Sequence, residues 1–121
     1  MSFKQISTPA ELAQLVAKAQ DAELAHDYER FRGLIKPYWE KLNEFPDFGE
    51  DIAPEMKAEL FRLCGWYLCF SGQANNAKYQ ERGKEIVSKS VELFEELGEI
   101  DLASKAKMLV ASTYFNLGRI S

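Results

Sequence analysis

The sequence predicts an all-α protein of about five helices, folded back on one another as antiparallel hairpins. Three observations carry this. Alternating runs of β-branched residues and Asn-Gly or Asp-Gly hairpin turns are absent. Apolar residues recur at spacings of three and four in five segments, most of them bounded by capping or turn residues. The pattern of helix and turn also repeats at an interval of 46 residues.

The first helix begins in STPAEL. Thr8 suits the N-cap, Pro9 the first helical position, and Glu11 the third, as in a capping box. Leu12, Leu15, Val16 and Ala19 mark one face, and the helix is expected to reach Ala25. His26-Asp27 then makes a tight turn. The second helix opens at Tyr28, and Tyr28, Phe31, Ile35, Tyr38 and Leu42 form a wide apolar stripe. Pro37 interrupts it and predicts a kink.

NEFPDFGEDIAP, residues 43–54, is a loop with two prolines and four acids. The third helix, from Glu55 to Phe70, is apolar nearly all round in LFRLCGWYLCF, so it is expected at the centre. SGQANNAKYQ is a loose turn. The fourth helix starts at Lys78 or Arg82 and runs to Leu97, with Glu85 and Lys89 placed to pair on its wet side. Gly98 ends it, Asp101 caps the fifth helix, and Gly118 ends that one.

The bulk properties fit one soluble domain. The chain has 121 residues, 46% apolar and 28% charged. No apolar run approaches a membrane span, and MSFKQISTPAE lacks the apolar stretch of a leader, so the cytoplasm is expected. A net charge of −4, with 15 basic residues scattered singly, argues against nucleic acid as partner. Cys64 and Cys69 would lie about 140° apart around one helix, which suits two reduced, buried thiols.

Aligning His26, Gly72 and Gly118 sets the 46-residue register. Seven positions before each stand Ala19, Gly65 and Ala111, all small. A recurrent small residue in mid-helix lets a neighbouring backbone come close. LVASTYFNLGR and LCGWYLCFSGQ resemble the first helix of a tetratricopeptide repeat, and HDYERF resembles the turn into a repeat's second helix. The period departs from that family's 34 residues. Phe31 stands where its second helix carries alanine.

The resemblance implies a short right-handed α-solenoid of stacked hairpins. Its units would be a hairpin over 9–42, a second over 55–97 and half of a third over 102–117, all in one domain spanning 1–121. The unfinished last unit implies a longer natural repeat protein. The resemblance also implies a scaffold whose concave face is lined by the first helix of each pair. The matching positions are Ala13, Val16, Gln20, Glu23 and Leu24, then Glu59, Arg62, Trp66, Cys69 and Phe70, then Lys105, Met108, Ser112, Phe115 and Asn116. The candidate protein-binding residues are Gln20, Glu23, Arg62, Trp66, Cys69, Lys105, Ser112, Phe115 and Asn116. Arg62 is expected to be exposed, whereas Trp66 is weighed as core or groove. The basic clamp for a C-terminal carboxylate is not expected, because only Lys105 fits it.

Little in the sequence suggests catalysis. His26 is the single histidine and sits in a turn, and no phosphate loop or nucleophile motif occurs. The acids Glu44, Asp47, Glu50 and Asp51 lack the spacing of a calcium loop. The expected function is therefore a non-catalytic, cofactor-free protein-interaction module. A regulatory domain binding a small ligand or signalling peptide between helices is the alternative. The apolar residues Leu109, Val110, Tyr114, Phe115 and Leu117 occur on more than one side of the last helix, which predicts self-association through 102–117.

Overall fold

The computed structural model describes residues 8–72 and 75–120. It is all-helical: α1 Pro9–Leu24, α2 Tyr28–Ile35, α3 Pro54–Phe70, α4 Ala77–Glu96 and α5 Ile100–Ile120. A single 3-10 turn, Lys36–Tyr38, follows α2. Gln73 and Ala74, in the expected loose turn, and Ser121 lie outside the described residues. Among the described residues no helix is long and apolar enough to cross a membrane.

The caps follow the sequence closely at the start of the chain. Thr8 accepts a hydrogen bond from the Glu11 amide at 3.1 Å, satisfying one orphan donor of α1. At the other end His26 takes a left-handed φ of 53°, rare outside glycine. The Asp27 amide donates back to the Ala22 carbonyl at 2.9 Å, and the His26 amide to Glu23 at 3.1 Å, which is a Schellman ending. The same two bonds recur at the end of α4, where Gly98 has φ 75° and the Glu99 amide reaches the Phe94 carbonyl. Asp27 caps α2 by accepting from the Arg30 amide.

The second helix is shorter than the stripe implied. The chain does not kink and carry on to Leu42. It leaves the α-helix at Ile35, and Trp39, at φ −150° and ψ 72°, is no longer helical. Two causes combine: Pro37 has no amide to continue the ladder, and the segment that follows has better partners beyond the helix. Trp39 is buried and donates its indole N–H to the Glu44 carbonyl at 2.7 Å. Arg32 donates to the carbonyls of Trp39 and Glu40. Phe48, from the predicted loop, is buried against Tyr38 and Phe61. Pro46 and Phe48 thus anchor the loop on the core, while Glu44, Phe45, Asp47, Glu50 and Asp51 stay exposed.

Three other expectations need correcting. Asp101 lies inside the first turn of α5, and the Glu99 carbonyl accepts the Ala103 amide as the helix begins. Gly118 does not end α5, because the helix continues through it to Ile120. Lys89 pairs with Glu92 rather than Glu85, which takes Arg82 instead; both are pairs three residues apart. The helices α1, α3 and α5 begin at Pro9, Pro54 and Ile100, 45 and 46 residues apart, but the third turn of the 46-residue register, expected at Gly118, is not formed.

Side-chain bonds set the helix directions. Ser90 donates to the Ala58 carbonyl and Gln80 to that of Leu68, so α4 runs antiparallel to α3. Lys107 meets Glu95, and Asn116 meets Gln80, so α5 runs antiparallel to α4. Gln20 meets Glu59 and Glu23 meets Arg62, so α1 is parallel to α3. As expected, α3 is central: every residue from Leu60 to Cys69 is buried. One core, rich in aromatics, gathers α1, α2 and α3 around Phe31, Trp39, Trp66 and Tyr67. A second, built of smaller residues, joins α3, α4 and α5 through Ala58, Val87, Phe94, Ala103 and Ala106.

The glycine at the α3–α4 crossing has a steric cause. A Cβ on Gly65 would lie 1.8 Å from Val87 Cγ2, and one on Gly83 would lie 3.3 Å from Leu68 Cβ. Both cysteines are buried and free. Burial pushes both thiols up, Cys69 to about 11 with Asn116 partly offsetting, so they behave as small hydrophobes.

Candidate interaction groove

The middle of α1 and the starts of α3 and α5 leave an open trough of about 470 Å³ between them. On one wall α1 presents Ala13, Val16, Ala17 and Gln20, one face of the helix at spacings of three and four. On the other, α3 contributes Glu55, Met56 and Glu59. Phe94, Glu99 and Leu102, at the α4–α5 turn, close the far side. The lining is mainly apolar, and its charged groups are all carboxylates.

One edge of this trough is held by a cross-helix network. Arg62 is buried, with 2% exposure, contrary to its expected place on the surface. It has two carboxylate partners: Glu59 on its own helix at 2.8 Å and Glu23 of α1 at 2.8 Å. Its second terminal nitrogen also reaches both acids, at 2.9 Å each. Gln20 completes the set by donating to Glu59 at 2.9 Å. A buried guanidinium is tolerated because its charge-assisted bonds are met on both sides. Burial acts to raise the Glu59 carboxyl, but the hydrogen bonds and charge of Arg62, with Gln20 and Lys105, outweigh it and hold the group below its ordinary value. Burial likewise opposes the Arg62 charge, and the two acids overcome it, so its pKa is raised.

The candidate binding residues thus part company. Gln20 lines the trough, and Glu23 and Arg62 brace it from behind. Trp66 is core: it stacks on Tyr28 with ring centroids 5.1 Å apart and meets Phe31 edge-on. Cys69 is buried beneath Asn116, whose amide donates to the Cys69 carbonyl and to Gln80, both at 3.0 Å. Ser112 bonds the Met108 carbonyl of its own helix. Lys105 is exposed and near enough to Glu59 to lower its pKa. Phe115 is exposed and lies outside the trough.

Ala17, Glu55, Met56, Phe94, Glu99 and Leu102 were not among the expected groove residues. Their common signal is position rather than type, since most belong to helix starts or the turn between α4 and α5. Four of the family-matched positions, Ala13, Val16, Gln20 and Glu59, do meet there.

The acids of the 39–53 segment do not converge. Asp47 accepts from the Gly49 amide in a local turn, and among the described residues no three His, Cys, Asp or Glu side chains form a group that could hold a metal ion. His26 is exposed in its turn. No family model, curated protein or solved structure matches this chain.

Proposed function

We propose that this chain is a non-catalytic, cytoplasmic interaction module of the α-solenoid type, similar to tetratricopeptide repeats. It takes a peptide or protein segment into the trough between α1, α3 and the α4–α5 turn. The observation that carries this is the trough itself: an open, apolar channel rimmed by Glu55, Glu59 and Glu99. Its opening to solvent suits a docked chain segment, and the carboxylates favour a segment with apolar anchors flanked by Lys or Arg. The near-equal spacing of the starts of α1, α3 and α5 supports the solenoid reading.

The test is a displayed peptide library selected against the whole chain, followed by titration of the enriched peptides. Selected sequences are expected to combine apolar and basic residues. Ala17 is exposed, and Ala17→Arg places a long side chain with a cationic head in the trough. Leu102→Glu removes an apolar contact on the opposite wall. Each is expected to weaken binding by roughly tenfold or more, the scale of a lost interface anchor, while the helical circular dichroism signal stays. Equal affinity in both variants would remove the trough as the binding site. A thermal-shift response to small metabolites without peptide enrichment would favour the regulatory alternative.

A further inference from the structure

The outer face of α5 is apolar in its middle, with Asp101 at its start and Arg119 at its end; Lys105, one turn after Asp101, is close enough to Glu59 of α3 to act on its charge. Met108 and Phe115 are 72% and 65% exposed. They stand seven residues apart and therefore share one line along the helix. Seven residues before Met108, the same line meets Asp101; one turn after Phe115, it meets Arg119. Beside it runs a second line of exposed small residues, Ser104, Ala111 and Gly118, at the same spacing. The opposite face, with Ala103, Ala106 and Thr113, is the buried one. Among the described residues, neither Asp101 nor Arg119 has an ion-pair partner within the chain, and the Arg119 guanidinium lies over the Phe115 ring, 5.8 Å from its centroid.

We propose that this face docks onto the same face of a second copy of the chain, with the two α5 helices antiparallel. Charge chooses the direction. A parallel pair sets Asp101 against Asp101 and Arg119 against Arg119. An antiparallel pair sets each Asp101 against the other copy's Arg119. Shape agrees with that register. It places Met108 opposite the other copy's Ala111 and Phe115 opposite its Ser104, so each large side chain fills the space over a small one. The contact is two-fold and self-complementary, the usual form of a homodimer interface. It lies on the side of α5 away from Leu102 and the trough, so it stands or falls independently of the peptide-binding reading.

Sedimentation equilibrium of the whole chain is the test, from roughly 5 to 500 μM, because a single helix pair is a small interface. The mass is expected to climb toward twice that of the monomer. Phe115→Glu and Ala111→Glu, both at exposed positions, are expected to raise the dissociation constant by roughly tenfold or more with helicity unchanged. Asp101→Arg or Arg119→Asp alone is expected to weaken the dimer, and the double exchange is expected to restore it. A monomer at the highest concentration overturns the proposal and assigns the face to another occupant. So does a dimer indifferent to Phe115→Glu, and so does a double exchange that fails to restore association.

Discussion

Gly65 sits where α3 and α4 come closest, and a methyl group there has nowhere to go. Two effects compete in Gly65→Ala. Alanine improves helix propensity by about 1 kcal/mol. The new Cβ would meet Val87 far inside contact distance, at 1.8 Å, and Val87 is itself buried. Overpacking of this kind costs about 1–3 kcal/mol, so the clash is expected to win or, at the least, cancel the gain. Gly33 is the control. It lies in α2 with nothing within 4 Å of the added Cβ, so Gly33→Ala is expected to stabilise by about 0.5–1 kcal/mol. Urea midpoints of the two variants check both signs, and a Gly65→Ala protein more stable than Gly33→Ala would refute the crossing argument. Gly65 was legible because a small residue inside an all-round apolar helix asks for a close neighbour. Arg62, three positions earlier, was not. Its charge suggested exposure, and the two facts that reverse this are a carboxylate one turn back and another on α1, 39 residues away. Of these, only Glu59 is visible as a local pattern.

At the scale of elements, the endings of α1 and α4 use one device with different residues. Gly98 occupies the left-handed position of one, and His26 that of the other. A side chain there costs roughly 1 kcal/mol relative to glycine. His26→Gly is therefore expected to stabilise by about 1 kcal/mol, less whatever the His26 ring gains beside Tyr28. Gly98→Ala is expected to destabilise by a similar amount. Thermal midpoints moving in the same direction for both would contradict the shared geometry. Caps of this kind read well from sequence because a few adjacent residues settle them. The end of α2 does not. Its stripe ran on past Pro37, and the choice between kink and stop was made by partners beyond the helix: the Trp39 indole finds the Glu44 carbonyl, and Phe48 fills the space against Phe61. Gly118 shows the converse. Glycine permits a turn without requiring one, and here the helix passes through it.

At the scale of the molecule, α1 and α3 are fastened by the Gln20–Glu59–Arg62–Glu23 set, two of whose members, Gln20 and Glu59, line the trough. This fastening makes stability depend on pH in a definite direction. The Glu59 carboxyl is held below its ordinary 4.5 in the folded chain, so the folded state binds fewer protons than the unfolded state on the acid side. Its contribution is complete above about 4.5 and is lost as pH falls through the lowered folded value. Other carboxylates titrate in the same window, so the informative quantity is the difference between the wild type and Glu59→Gln. The amide keeps much of the shape and one acceptor but loses the charge. It is expected to cost about 1–3 kcal/mol at neutral pH, the scale of a weakened charge-assisted bond to a buried group. Below the folded pKa of Glu59 that cost should shrink, because the wild-type carboxyl is by then neutral as well. Arg62→Met removes the shared cation and leaves Glu59 with Gln20 alone and Glu23 without its ion pair, so a larger loss, about 3–5 kcal/mol, is expected at neutral pH. Urea unfolding of the three proteins from neutral to strongly acid pH checks this. Converging wild-type and Glu59→Gln curves on the acid side would support the fastening. Curves that stay parallel would show that the Glu59 charge contributes nothing to holding α1 on α3, and that the trough is shaped by the apolar contacts of Val16 and Met56 alone.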